Sequence, residues 1–198
     1  MSSQTSHYHQ RQPDRGWGIL EHGSIALFTV IVICIVGALV WGLSGKKSVA
    51  VETSNIQTVV TNAQQLKQTQ GGYNFTSGTT MTGTLIQQGG APKAGWTIQG
   101  TASSGTGTMW NSYGGQVVMA PVASNGFNNG FSVTTQKVPQ ADCISIATQL
   151  GSGGAFSAIS INSTDYSDGL VSAEDAGKAC TADTGMTGNN TLVFTHNG

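Results

Sequence analysis

The apolar segment at residues 24–43 constrains this 198-residue chain more than any other feature of its sequence. It reads SIALFTVIVICIVGALVWGL and contains no charged residue. A helix of this length, at about 1.5 Å per residue, spans about 30 Å, which is the hydrocarbon thickness of a bilayer. Because backbone polar groups in lipid must bond within their own segment, the sequence predicts a transmembrane helix here.

The helical pattern continues after this segment. Apolar residues recur with mostly i, i+3, i+4, i+7 spacing as far as about residue 70, where Gly71 and Gly72 follow. The positions that carry this pattern are Val49, Ile56, Val59, Val60, Ala63 and Leu66. The sequence therefore predicts that the helix extends out of the membrane and ends at residue 70.

The remaining residues, 71–198, are predicted to form a globular domain. Residues 71–94 show no sustained period and are expected to form a long loop with at most one short element. Alternating patterns predict strands at 96–101, 116–123, 131–138, 156–162 and 191–195, with the SNGFNNG cluster at 124–130 as a hairpin loop. Helical spacing predicts a helix at 142–150 and a short helix or turn at 172–180. The fold class is therefore α+β, a long helix followed by a mostly antiparallel sheet.

Charge and motifs exclude several functions. The chain has eight basic and nine acidic residues, and its basic residues beyond position 47 are widely spaced, so no nucleic-acid-binding face is expected. An enzyme is not predicted, because three of the four histidines lie at or before His22, and His196 is expected to be a solvated tail residue. Nucleotide-binding and nucleophile motifs are missing from the sequence, and no cofactor is predicted.

The cysteines indicate the compartment. Cys34 lies in the apolar segment, which leaves Cys143 and Cys180 as an even pair in the polar part. A bridge between them would fit an oxidising compartment, and two unpaired thiols is the alternative. A zinc site is disfavoured because the polar part has one histidine and no CxxC.

The stretch RGWGILEHGSIALF, directly before and into the apolar segment, resembles the type IV prepilin processing site. An ordinary secretory signal is cleaved after its apolar region, whereas cleavage at Gly16 and Trp17 would leave the helix on the mature protein. The resemblance implies that residues 1–16 are a leader, that a prepilin peptidase cuts after Gly16 and methylates the α-amine of Trp17, and that residues 17–70 form one long helix with residues 24–43 as its transmembrane and filament-core part.

The resemblance also gives Glu21 a role in assembly. A carboxylate beside a hydrophobic core needs a cationic partner, and in the family this partner is the N-terminal amine of a neighbouring subunit. The alternative interpretation is that Glu21 lies in the headgroup region and is simply hydrated.

The globular part resembles the type IVb subclass of these pilins, including the major pilins of plasmid-encoded thin pili and enterobacterial adherence pili. The resemblance rests on GGQVVMAPV, GFSVTTQKVPQADCISIATQL, the late Cys180 and Trp17 as the first mature residue. It implies the type IV pilin fold, with Cys143 and Cys180 bounding a disulfide-closed region on the filament surface.

The same resemblance implies a life cycle and a set of partners. A major pilin of a Gram-negative bacterium waits in the inner membrane as a precursor and then polymerises into an extracellular helical homo-oligomer for conjugation or adhesion. Its other partners are the prepilin peptidase, the pilus assembly platform and minor pilins. Two alternatives remain open: a minor pilin or pseudopilin of a pilus or type II secretion system, and a membrane-anchored binding domain.

Two further groups of residues have alternative interpretations. The acidic stretch would bind Ca²⁺ weakly or be a solvated face, and it contains Asp165, Asp168, Glu174, Asp175 and Asp183. The aromatic residues are expected mostly in the core, although exposed members would suit receptor or glycan binding. They are Tyr73, Phe75, Trp96, Trp110, Tyr113, Phe127, Phe131 and Phe156.

Overall fold

A computed structural model describes residues 48–68, 71–124 and 126–197 of the chain. The predicted leader, the apolar segment 24–43 and the site residues Gly16, Trp17 and Glu21 lie outside the described residues. Within the described residues, no helix is both long enough and apolar enough to cross a bilayer.

The first described element is α1, a helix over residues 48–64. Its inner face follows the predicted apolar pattern, and Ile56, Val59 and Ala63 are fully buried. The helix ends six residues before the predicted boundary, since Leu66 N–H bonds to the Ala63 carbonyl at 2.9 Å in a tightened turn. Gln68 then forms an isolated antiparallel bridge with Gly72, which turns the chain back.

The segment predicted as a long loop contains one element, the helix α2 at Gly78–Gln87. Its four threonines and two glycines are weak helix formers, so propensity alone does not predict it. Ser77 begins the helix with a capping box, in which its side chain accepts from Thr80 N–H. Burial of Met81, Leu85 and Ile86 then holds it against the rest of the domain.

Seven strands form one sheet with the order β1-β2-β3-β4-β7-β5-β6, in which every neighbouring pair is antiparallel. The sheet therefore has the antiparallel layout that the sequence predicted. The strands are β1 (Thr97–Gln99), β2 (Thr108–Trp110), β3 (Gln116–Ser124), β4 (Phe127–Val138), β5 (Ala158–Ile161), β6 (Thr164–Tyr166) and β7 (Asn190–Asn197). A short 3₁₀ turn, Ala102–Ser104, connects β1 to β2.

The predicted hairpin loop at residues 124–130 is much shorter in the structure. Phe127 already pairs with Ser124, and Gly130 pairs with both Val122 and Asn197. Glycine is required at position 130 of this strand, because a β-carbon there would lie only 2.6 Å from the His196 carbonyl oxygen. The strand pairing therefore extends into the Asn/Gly cluster, and the predicted hairpin loop at residues 124–130 was too long.

Two further helices complete the domain, α3 (Gln140–Gly151) and α4 (Ala173–Ala179), both close to their predicted positions. Alternate residues of β3, β4 and β7 are buried, including Met119, Val133 and Phe194. They form one hydrophobic cluster with the buried residues of α1, α2 and α3. The described residues thus form an α+β domain with helices packed on an antiparallel sheet.

Candidate functional site

A disulfide joins Cys143 in α3 to Cys180, the residue that follows α4. The two Cα atoms are 6.1 Å apart, and the bond spans a sequence separation of 37 residues. Both side chains are buried. The bridge that the sequence predicted is therefore present, and we call residues 143–180 the disulfide region. It contains β5, β6 and α4.

Asn190 holds the end of the disulfide region to the sheet. Its side chain is fully buried at the start of β7, and its amide nitrogen donates to the carbonyls of Val138 and Thr181, each at 3.0 Å. Its amide oxygen accepts from Thr181 N–H at 2.7 Å and from the Asn162 side chain at 3.0 Å. One side chain thus joins β4, the β5–β6 turn and the residue after Cys180.

Asp183 makes a second polar contact between the chain after Cys180 and the rest of the domain. The N-cap position of α3 is Pro139, which provides no side-chain cap. Asp183 supplies one instead, because its carboxylate accepts from Gln140 N–H at 2.8 Å. A negative charge at a helix N-terminus is also favoured by the helix dipole. The chain beyond Cys180 therefore caps the helix that carries Cys143.

The other four carboxylates of the acidic stretch bond to separate local partners. Asp165 accepts from Ser160, Asp168 accepts from Leu170 N–H at 3.0 Å, and Asp175 accepts from Ser172 at 2.6 Å. Glu174 forms an exposed ion pair with Lys178. Within the described residues, no group of three or more potential ligand residues could hold a metal ion. These contacts suit a solvated acidic face.

The main polar site that sequence reasoning missed lies at the start of α1. Glu52 is only 1 % exposed, and its carboxyl group accepts from Trp96 Nε1 at 2.7 Å and from Ser112 N–H at 2.9 Å. The Ser112 hydroxyl donates to it as well. One signal was available: Glu52 lies four residues before Ile56, on the apolar face of a predicted amphipathic helix.

The loop that contacts Glu52 is itself fixed by hydrogen bonds. Asn111 is buried, accepts from Gly115 N–H at 2.7 Å, and donates to Thr135 and Gln136 in β4. Tyr113 donates its hydroxyl to Asp142 in α3 at 2.8 Å. Burial, with a further contribution from Asp142, raises the pKa of Tyr113 well above its ordinary value. The loop at residues 111–115 therefore connects α1, β4 and α3.

His196 is not the solvated tail residue that the sequence predicted. It lies in β7, is half-buried, and its ring centre is 5.4 Å from that of Phe131. Nδ1 donates to the Ala155 carbonyl at 3.1 Å, so in the neutral form Nε2 accepts from the Gln64 amide at 3.1 Å. The prediction was wrong because β7 extends to Asn197 and pairs with β4 along its length.

The aromatic residues divide between the core and the surface. Tyr73, Trp96, Phe131 and Phe156 are buried, as expected, whereas Phe75, Trp110 and Tyr113 are half-buried. Phe127, beside the β3–β4 turn, is 64 % exposed. The surface therefore retains aromatic side chains that are available for contacts with other molecules.

Similarity to known proteins agrees with this architecture. A family model described as PilS N terminal matches residues 46–197. The crystal structure of a type IVb pilin from Salmonella typhi has 50% sequence identity and a TM-score of 0.66, and the match covers 75% of this chain and 99% of that one. The NMR structure of the type IVb pilin PilS from Salmonella typhi has 48% identity and a TM-score of 0.54, with 78% and 99% covered. No curated protein matches the chain.

The helix-on-sheet domain, its late disulfide and these matches define the class of protein as a type IVb pilin. This class consists of pilus subunits, which are structural proteins rather than enzymes. Within it, the chain belongs to the PilS family.

Proposed function

We propose that this chain is the major subunit of a type IVb pilus, made as a precursor in the inner membrane and polymerised into an extracellular filament. One observation carries the proposal. The part of the chain that matches the PilS family model, residues 46–197, which we call the head, is preceded in the same sequence by Gly16, Trp17 and Glu21 directly before an uncharged apolar segment. A pilin head and a pilin processing pattern therefore occur together in one chain.

The first step is removal of the leader. Prepilin peptidase cuts after Gly16 and methylates the new α-amine on Trp17, and the apolar helix remains on the mature subunit. The head is then outside the cytoplasm, in a compartment where Cys143 and Cys180 can be oxidised to the disulfide.

The second step moves the helix from lipid into a bundle of identical helices. This exchange costs little because both environments are apolar, and Gly37, Ala38 and Gly42 allow neighbouring helices to approach closely. Glu21 pairs with the α-amine of a neighbouring Trp17, since an unpaired carboxylate in such a bundle costs several kcal/mol. This pairing sets the axial stagger of the subunits.

The head then faces outward and carries the filament's contacts in conjugation or adhesion. Its disulfide region holds most of the acidic residues of the domain and is closed by a covalent bond, which suits a surface exposed to the medium. The assembly platform and minor pilins act on the subunit before and during this polymerisation.

The test of this function is a Glu21→Ala variant, with His22→Ala as the matched control one residue away. We expect Glu21→Ala to insert into the membrane and to be processed, but to give few or no filaments in the sheared extracellular fraction. His22→Ala should assemble like the wild type. Normal filament yield from Glu21→Ala would contradict the pairing of Glu21 with the neighbouring amine.

A further inference from the structure

We infer that the redox state of the disulfide controls how firmly the start of α1 is held to the rest of the domain, through the first turn of α3, residues 140–143. Cys143 lies in this turn, and so does Asp142, which accepts a hydrogen bond from the loop at residues 111–115. That loop in turn binds Glu52 near the start of α1. The inference concerns contacts within a single chain, so it goes beyond the proposed function and does not depend on filament assembly.

On one side, the first turn of α3 is held by the chain around Cys180. Cys143 is joined to Cys180 by the disulfide, and the Gln140 side chain donates to the Cys180 carbonyl at 3.2 Å. Asp183 caps the same turn by accepting from Gln140 N–H at 2.8 Å. Because Pro139 provides no side-chain cap, the turn relies on these contacts from outside the helix.

On its other side, the turn contacts the loop at residues 111–115. Tyr113 donates its hydroxyl to the Asp142 carboxylate at 2.8 Å. Tyr113 is half-buried, and a hydrogen bond to a carboxylate is stronger than one between neutral groups. A displacement of Asp142 is therefore passed to the loop.

The neighbouring residue of the loop, Ser112, contacts α1. Its backbone N–H donates to Glu52 at 2.9 Å, and its hydroxyl donates to the same carboxyl group. Trp96 Nε1 donates to Glu52 at 2.7 Å from the residue before β1. Because Glu52 is buried, a displacement of Ser112 leaves its carboxyl group short of donors that water does not replace.

Reduction and oxidation of the disulfide supply the two states of this coupling. In the reduced chain only noncovalent contacts hold residues 180–183 beside α3, so the cap and the first turn are loosened together. Asn190 still bonds to Thr181, which keeps this segment on the sheet. On oxidation, the two thiols lose two protons and two electrons to a protein disulfide, which is itself reduced to two thiols. The start of α1 is therefore held firmly only after the disulfide has formed.

The far end of α1 provides an internal reference. There Gln64 bonds to His196 in β7 at 3.1 Å rather than to the loop at residues 111–115. A general loss of stability raises exchange of amide hydrogens at both ends of the helix, whereas loss of the Glu52 contact acts on the start alone.

The experiment measures amide hydrogen exchange by mass spectrometry in the full-length chain in detergent, with and without dithiothreitol. It compares a peptide that covers residues 48–56 with one that covers residues 59–66. In the wild type, reduction should raise exchange at 48–56 about tenfold more than at 59–66, as expected for the loss of one buried hydrogen bond. Equal increases in both peptides would overturn the inference.

Tyr113→Phe tests the route, because it removes the bond to Asp142 and leaves the rest of the loop in place. In this variant, reduction should raise exchange at the two ends of α1 equally. The matched control is Tyr166→Phe, since the Tyr166 hydroxyl donates to the Asp175 carbonyl at 3.1 Å within the disulfide region. Tyr166→Phe should keep the response of the wild type. A response that persists in Tyr113→Phe, or is lost in both variants, would overturn the inference.

Asp183→Ala tests the same turn without reduction, so the result does not depend on the reduced chain remaining folded. It removes the cap of α3 while the disulfide stays intact. Exchange at 48–56 should rise about threefold relative to 59–66, as expected for the loss of a helix cap. The rise should be absent when Asp183→Ala is combined with Tyr113→Phe. An unchanged ratio in Asp183→Ala alone would overturn the inference and leave the proposed function intact.

Discussion

At the scale of single residues, Glu52 shows how the start of α1 is held in the head. It is the one acidic or basic residue among positions 48–64, and it is buried. Three donors from two other segments converge on its carboxyl group, which offsets the cost of removing it from water. The helix is therefore tied to the sheet by a specific polar contact as well as by apolar packing.

Glu52→Ala should destabilise the protein, because it leaves the buried Trp96 Nε1 and the part-buried Ser112 N–H without their acceptor. We expect the free energy of unfolding, measured by urea titration, to fall by about 3 kcal/mol. The control is Glu174→Ala, whose exposed ion pair with Lys178 contributes little. Equal stability of the two variants would contradict the role assigned to Glu52.

Tyr113 makes the stability of the head depend on pH in the alkaline range. Burial raises its pKa above the ordinary value, so the folded protein holds the phenolic proton more tightly than the unfolded chain. The resulting stability is fully present below about pH 10 and is lost as the pH rises above it.

Tyr113→Phe should therefore lose less stability than the wild type between about pH 9 and pH 11 in urea titrations. The dependence should decrease rather than vanish, since burial also raises the pKa of Tyr73 and Tyr166. The same slope of stability against pH in both proteins would be inconsistent with this account.

At the scale of elements, the disulfide region and α2 are held by different means. The disulfide region has a covalent bond, the Asn190 side chain and the Asp183 cap at its two ends. Helix α2 is held by close packing on neighbouring backbone, and it includes Gly83 for that reason. Loss of either arrangement should lower the free energy of unfolding.

Cys143→Ser should lower the free energy of unfolding by about 4 kcal/mol. The reason is that the unfolded chain is then no longer restricted by a bond between two residues that are 37 positions apart. A reductant should lower the stability of the wild type by a similar amount and leave Cys143→Ser unchanged. If the reductant destabilises both proteins equally, the loss in the wild type does not come from this bond.

Two helical glycines offer a matched pair of substitutions. A β-carbon at Gly83 would lie 1.7 Å from the Gly105 carbonyl oxygen, whereas one at Gly177 in α4 would meet nothing within 4 Å. Gly83→Ala should therefore destabilise the protein by about 3 kcal/mol. Gly177→Ala should stabilise it by about 0.5–1 kcal/mol, because alanine is the better helix former. Thermal unfolding measures the change in stability of each variant. Destabilisation by both substitutions would contradict the expectation that they act in opposite directions.

The sequence predicted the elements that have their own periodicity or caps, such as the helix of Cys143 and the strands β3, β4 and β7. It did not predict β2 or β6, because these two three-residue strands have no alternating pattern of their own. In the structure, β2 pairs with β1 and β3, and β6 pairs with β5. The disulfide could be predicted from the cysteines alone. The contacts of Glu52 and His196 could not be predicted, because their partners are distant along the chain. The partners of Glu52 are at least 44 residues away, and those of His196 are at least 41 residues away.

At the scale of the whole molecule, the chain combines a PilS-family head with an N-terminal segment that resembles a pilin processing site. The head is a self-contained core of helices on an antiparallel sheet, closed by a disulfide. Phe127 is an exposed aromatic side chain on the surface of this head. A self-contained head of this kind suits a subunit that repeats along a filament.

The most direct measurement is mass spectrometry with N-terminal sequencing of the protein in sheared extracellular material and in the membrane fraction. Our account predicts an abundant extracellular chain that begins at Trp17 with a methylated α-amine, and a membrane pool that contains the longer precursor. A chain that remains in the membrane, is absent from the extracellular material and still begins at Met1 would contradict it.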